Sequence, residues 1–279
     1  MKPIVILGIF VADTSYRAER LPKMGETILG TSFVLGPGGK GSNQSVAAAM
    51  AGGKTHFITR LGRDAFADIA HATWARAGVH PEITVDTDSY TGAALIFIEN
   101  ATGNNAIIVS PGAAGRVSVS DVEARADLIA TAAVFVTQLE QPIAAAKRGL
   151  EIARAAGVTT ILNPAPAATL GDDILALCDF VTPNETETES LTGLPVTNLA
   201  EAEIAAAALL ARGVGAVVIT LGANGVYYRD AHRSLHQPAI SAGAVVETTG
   251  AGDAFNGGFA VALSEGQDIA AALRFGCAT

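Results

Sequence analysis

The chain has 279 residues, with 18 Lys or Arg against 27 Asp or Glu and a formal net charge of −9. A mean hydropathy of +0.37 with only 16 % charged residues excludes a disordered chain or a coiled coil, and the length suits one large α/β domain or two small ones. The negative balance disfavours nucleic acid or an anionic membrane as a partner of the whole surface, since both need a positive field; an anionic substrate requires a local cationic site.

The first predicted element, Ile4–Phe10, is short and rich in Ile and Val. Lys2 ahead of it imitates the start of a signal peptide. The run is far below the roughly 18 apolar residues of a membrane span, however, and it leads straight to Asp13, which predicts a buried parallel strand. Thr14–Leu35 follows with short strand-like pieces, turn residues and no helix, and Thr91–Val109 has the same character. These two stretches are predicted to pair as a small sheet outside the main one, a lid or an oligomer contact. Further strands are predicted at His56–Thr59, Ala133–Thr137, Thr159–Leu162, Asp179–Thr182 and Ala216–Thr220, and Ala-rich helices at Asp64–Ala77, Ile143–Ala156 and Leu199–Arg212. Alternating strand and helix predicts an α/β fold, a mainly parallel central sheet with helices on both faces.

The central strands end in polar residues: Gln138 and Glu140, then Asn163, then Thr182, Asn184 and Glu185, then Thr220 and Gly222. Ligands of open α/β sheets sit outside the carboxyl ends of the strands, so the repetition points to one shared cleft. Two glycine-rich stretches border it. Gly36–Asn43 matches GxGxxG literally, but Pro37 and Lys40 suit a dinucleotide turn poorly, and Lys40 followed by Gly41 is no Walker A loop. It offers close backbone approach, one cation and the amide of Asn43, where the plain alternative is a structural turn. In Thr248–Asn256, Gly250, Ala251 and Gly252 would open a helix and aim backbone N–H groups at one point, an anion hole suited to a transferring phosphoryl group. Asp253 in that first turn is either a favourable N-terminal charge or the acceptor of a proton from an attacking hydroxyl. Glu187, near the start of another helix, either answers the helix dipole or helps hold magnesium through water. The five histidines show no zinc-ligand spacing, and no GxSxG elbow is present. Cys178 and Cys277 form neither a CxxC pair nor a disulfide framework, which fits a reducing cytoplasm.

GGKGSNQS at 38–45, QLEQP at 138–142, NPAPA at 163–167, TPNETE at 182–187, ITLGANGV at 219–226 and TTGAGDAFNG at 248–257 follow one another in an order that resembles the ribokinase-like carbohydrate kinase family, nearly end to end. The resemblance implies ATP-dependent phosphorylation of a sugar's primary hydroxyl, the 5-hydroxyl in ribose, on one domain whose β-lid often serves as the dimer contact. It also implies Asp253 as catalytic base and Gly250, Ala251 and Gly252 as anion hole. By position, Asp13, Gly39, Lys40, Asn43 and Glu140 match sugar-binding residues, Asn184, Thr220, Gly222 and Gly225 match ATP contacts, and Glu187 the magnesium-associated acid. Val11 stands where the family usually has Asn, which removes an amide partner from one sugar hydroxyl and can shift specificity. Glu247, beside Thr249, stands for the commoner Asp of a monovalent-cation (potassium) loop. The family's last segment, which closes the adenine pocket, is expected to lie beyond Thr279. Rival readings are a kinase of another small sugar or a nucleoside, disfavoured by the few aromatics in the lid stretches, a non-catalytic sugar-binding protein, which a turnover assay separates, and an NAD-dependent oxidoreductase, which would bind nicotinamide and not ATP.

Overall fold

Ile4, Val5, Ile6 and Leu7 are all fully buried, and their side chains divide between the two faces of a sheet: Val5 and Leu7 enter one apolar cluster, Ile4 and Ile6 the other. A strand apolar on both faces needs cover on both, and this one lies inside a nine-stranded sheet with helices packed on each side. The computed structural model describes residues 2–241, 243 and 248–279.

The strand β1 (Ile4–Leu7) is followed by β2 (Val11–Ala18), β3 (Ser32–Gly38), α1 (Lys40–Met50), β4 (Thr55–Leu61), α2 (Ala65–Ala77) and β5 (His80–Val85). Next come β6 (Thr91–Glu99), β7 (Asn105–Gly112), the short helices α3 (Val119–Glu123) and α4 (Ala126–Ala130), β8 (Val134–Thr137), α5 (Ile143–Ala155) and β9 (Thr159–Leu162). The chain continues through α6 (Asp172–Leu175), β10 (Phe180–Val181), α7 (Glu185–Thr192), α8 (Leu199–Ala211) and β11 (Ala216–Thr220). It ends with β12 (Val226–Asp230), β13 (Ser234–Gln237), α9 (Ala251–Ser264) and α10 (Ile269–Ala278). The main sheet runs β13-β12-β11-β10-β9-β8-β1-β4-β5, parallel except for β12 and β13. Helix ends carry their expected chemistry: Asp64 caps α2 through Phe66 and Ala67, Gly78 closes it at φ 81°, and Asn198 caps α8.

The predicted strand Ile4–Phe10 divides. Pairing with β4 and β8 stops at Leu7, and Gly8–Phe10 carries the chain into β2 of a second, four-stranded sheet ordered β3-β2-β6-β7. In it β2 and β6 pair in parallel, Asp13 beside Ala94, while β3 and β7 pair antiparallel at the edges. The two stretches singled out as a lid thus form one sheet. Much of it is apolar and exposed: Phe33, Val34, Ile107, Ile108 and Val109 are each more than half accessible. Among the described residues no helix is long and apolar enough to cross a membrane.

Chain order along the main sheet reverses between β1 and β8: β4 and β5 lie on one side, and β8 to β11 extend from the other. That reversal opens a crevice at the carboxyl ends of the strands. The start of α1, the residues after β8 and the start of α9 all meet there.

Candidate active site

Gly39 precedes α1 with φ 89°, and a Cβ there would stand 2.5 Å from the carbonyl oxygen of Ile9, so glycine is required both for the turn and for the approach to the segment between β1 and β2. The turn delivers Lys40, whose backbone N–H donates to Glu140 Oε2 at 2.7 Å, joining α1 to the end of β8 across the crevice. One turn on, Asn43 Nδ2 donates to Asp253 Oδ2 at 3.2 Å, and the neighbouring Gln44 Nε2 donates to Asp253 Oδ1 at 3.0 Å. Both carboxylate oxygens of Asp253 are therefore held from α1.

Asp253 belongs to the first turn of α9. Gly250 precedes that helix in the left-handed region (φ 81°), and no side chain caps its N-terminus. A Cβ on Gly250 or Gly252 would meet no atom within 4 Å, so the backbone N–H groups of the first turn are approachable from outside. Asp253 is nevertheless only 7 % exposed. Burial pushes its carboxyl above the usual carboxylate range, while the Lys40 ammonium and the Gln44 and Asn43 donors pull the other way.

Two cavities meet at this residue. One, of about 500 Å³, is lined by Asn184, Glu187, Thr220, Gly222, Gly225 and the helix start Gly250–Asp253, with Lys40 in its wall. The other, of about 690 Å³, is lined by Asp13, Asn43, Thr249, Gly250 and Asp253. Gly250, Asp253 and Ala254 border both. A buried carboxylate and an uncapped helix N-terminus thus stand between two compartments.

On the larger cavity's far side, Asp13 projects over Gly38, where a Cβ would collide with its carboxylate at 2.3 Å, and burial raises its pKa to about 6. Glu140 rises to about 7, chiefly by burial, with the Lys40 N–H and ammonium opposing. Glu187 is raised by burial as well; its Oε2 accepts from Asn184 N–H at 2.9 Å while Asn184 Oδ1 accepts from Glu187 N–H at 2.8 Å, a capping box on α7. A carboxylate has about four lone-pair sites, so this cap leaves Glu187 acceptor capacity toward the cavity it lines.

Of the residues singled out from sequence, Lys40, Asn184, Glu187, Thr220, Gly222, Gly225, Gly250, Ala251, Gly252 and Asp253 line the smaller cavity, and Asp13, Asn43 and Thr249 the larger. Gly39, Glu140 and Val11 line neither. Glu140 and Gly39 act on the start of α1. Val11 is 4 % exposed and packs with Ile9, Ala94 and Ala114 on the sheet face that carries Asp13. Glu247 lies outside the described residues. Residues that sequence reasoning did not assign are Gln44 and Asn256, both inside quoted motifs, and Asn163 and Gln138, recognised only as strand-end polars. Asn256 Nδ2 donates to Gly252 O at 2.8 Å, and its Oδ1 accepts from Thr182 Oγ1 at 2.7 Å, which ties the helix start to β10. The available signal was an amide standing alone among the apolar residues and glycines of 254–263.

The family model described as "pfkB family carbohydrate kinase" matches residues 1–279. The chain belongs to the pfkB family of carbohydrate kinases. Within it, the chain is 40 % identical to a ribokinase of Staphylococcus aureus over 98 % of this chain and 90 % of that protein, and 35 % identical to a deoxyribokinase of Salmonella typhi over 97 % and 89 %. A solved structure of Arabidopsis thaliana ribokinase complexed with ribose and ATP superposes with TM-score 0.91 at 32 % identity, over 99 % of this chain and 90 % of that one. As a pfkB kinase with this likeness, the chain is an ATP-dependent sugar kinase, and its large, mostly parallel sheet with a small second sheet is the ribokinase-like fold.

Proposed function

We propose that this kinase transfers the γ-phosphoryl group of ATP to the primary hydroxyl of a pentose, D-ribose in the first place, giving ribose 5-phosphate. The observation that carries the reading is the position of Asp253 and Gly250, the only pair of potential base and anion-binding helix start that borders both cavities among the described residues. The Asn184–Thr220–Gly222–Gly225 cavity takes the nucleotide and the Asp13–Asn43 cavity the sugar. In the reaction the sugar hydroxyl oxygen forms a bond to the γ-phosphorus, its proton passes to the Asp253 carboxylate, and the bond to the bridging oxygen breaks with ADP as leaving group. The backbone N–H groups after Gly250 face the charge on the transferring group. Lys40, which acts electrostatically on Glu140, Glu187 and Asp253, supplies the local positive charge an otherwise acidic protein needs for an anionic donor.

Glu187 fits a water-mediated contact to magnesium, which neutralises phosphate charge when bound. A potassium ion at Glu247 and Thr249 is proposed from the sequence resemblance, Glu247 lying outside the described residues. The free cysteines Cys178 and Cys277 support a cytoplasmic setting, and the apolar faces of the lid sheet support a homodimer through it.

The 35 % identity to the deoxyribokinase of Salmonella typhi favours a second reading, 2-deoxyribose, and Val11 agrees with it although it lines neither cavity. Val11 offers no hydrogen bond on the face that carries Asp13, and its neighbours Ile9, Ala94 and Ala114 offer none from their side chains. One experiment tests the assignment: ADP release is followed with ATP, magnesium and potassium over D-ribose, 2-deoxy-D-ribose, hexoses and nucleosides. The expected result is turnover with a pentose well above that with hexoses or nucleosides. A nucleoside as the best acceptor, or ATP binding without turnover on any of them, would overturn it.

A further inference from the structure

Gln44 is fully buried on α1, and its amide is the hub of a chain of side-chain hydrogen bonds. Its Nε2 donates to Asp253 Oδ1 at 3.0 Å and to Asn163 Oδ1 at 3.1 Å, while its Oε1 accepts from Gln138 Nε2 at 2.6 Å. Asn163 Nδ2 donates in turn to the main-chain carbonyl of Thr182 at 2.9 Å. A carbonyl can only accept, so that last bond sets the direction of every amide before it. Asn163 must turn its oxygen to Gln44, Gln44 must answer with its NH2, and the oxygen of Gln44 is left to Gln138. Asp253 Oδ1 therefore always faces an N–H.

The arrangement costs stability. Gln138 Oε1 is buried with no hydrogen-bond partner among the described residues, and it occupies the place a Cβ on Gly8 would need, 2.4 Å away. Apolar side chains of the same shape would fill the space without that penalty. The charged groups facing Asp253 are Lys40 on α1, Glu140 after β8, Glu187 on α7 and, across the sugar-side cavity, Asp13 on β2. Only Asn43 and Gln44, among the described residues, donate hydrogen bonds to its carboxylate.

We propose that Gln44 is a positioning residue for the base: it anchors Oδ1 on the buried side, so that Oδ2, on the side of Asn43 and the sugar cavity, is the oxygen that takes the hydroxyl proton. This rests on the reading of Asp253 as the base. The backbone alone cannot supply that anchoring, because the terminal torsion of an Asp side chain is broad and roughly two-fold unless side-chain donors hold it. The donor also stabilises the ionised base against its burial.

The test is a double-mutant cycle on the full chain with Gln44→Met, Asp253→Asn and the pair, following kcat, KM and the pH profile of kcat with the best pentose. Gln44→Met is expected to lower kcat about 10- to 100-fold, the reach of one hydrogen bond to a charged group, with KM for sugar and ATP changed less than about threefold. The acid limb of the kcat profile should move up by about one pH unit. In the Asp253→Asn background the same change should cost no further turnover. Should Gln44→Met fail to fold, Gln44→Glu keeps the shape and the bond from Gln138, and is expected to move kcat and the limb in the same directions. An equal loss in both backgrounds, or a rise in KM with the limb unmoved, would make Gln44 a packing residue and overturn the proposal while leaving the base assignment intact. Near-wild-type turnover of Asp253→Asn would overturn both.

Discussion

At the residue scale the proposed phosphoryl transfer turns on Asp253. Its carboxylate is buried, held on both oxygens and placed at the junction of two cavities. Asp253→Asn keeps the shape and removes the proton acceptor, so kcat should fall by about 10²- to 10⁴-fold while sugar affinity, measured by calorimetry, stays near wild type. Unchanged turnover would reduce Asp253 to a favourable helix-end charge. Val11 carries the specificity argument. An amide there can pair with a hydroxyl that Val11 leaves without a partner, a cost of about 1–3 kcal/mol. Val11→Asn is therefore expected to raise kcat/KM for ribose relative to 2-deoxyribose by about 5- to 150-fold; an unaltered ratio would show that Val11, packed with Ile9, Ala94 and Ala114, serves the core alone and lies outside the sugar's reach. Asp253 was legible in the sequence because GAGD states its own geometry, glycine at a left-handed position before a helix. Gln44 was not, because its significance lies in Asn163 and Asp253, residues 119 and 209 positions away.

The lid sheet and the crevice are the elements whose physics goes beyond local pattern. The absence of helical periodicity in 14–35 and 91–109 foretold strands outside the main sheet. The parallel pairing of β2 with β6 was not foretold, since register between distant strands follows from packing. Exposed Ile107, Ile108 and Val109 need cover in water. The Ile108→Asp variant should shift sedimentation from dimer toward monomer at micromolar protein with the fold retained by circular dichroism; a wild-type monomer at that concentration would contradict a lid-mediated dimer. The crevice makes a second prediction through Glu140. Its pKa, about 7 when folded against 4.5 as the ordinary value, means the folded state holds a proton the unfolded state has released. Stability from this group is full below about pH 4.5 and is lost as pH rises through about 7. Replacing it as Glu140→Gln should stabilise the chain increasingly between those values and by a constant amount above them, as read by denaturant unfolding at each pH. A difference between the two proteins that does not vary with pH would show that Glu140 ionises normally.

At the scale of the whole molecule, strand–helix alternation and polar strand ends were enough to foresee a mainly parallel sheet with one cleft. The order of its strands was not, because the reversal between β8 and β1 depends on which helices cover which face. That reversal gathers Lys40, Glu140 and Asp253, separated by more than 200 residues of chain, at one place. The most direct test of the central claim is the product itself. After incubation with ATP, magnesium and a pentose, phosphorus and carbon NMR should show one phosphate monoester on the primary carbon, formed in equal amount with ADP, and none with the Asp253→Asn variant on the same timescale. ADP and inorganic phosphate released beside an unmodified sugar, or an ester on a ring hydroxyl, would contradict the placement of the primary hydroxyl between Asp253 and the γ-phosphoryl group.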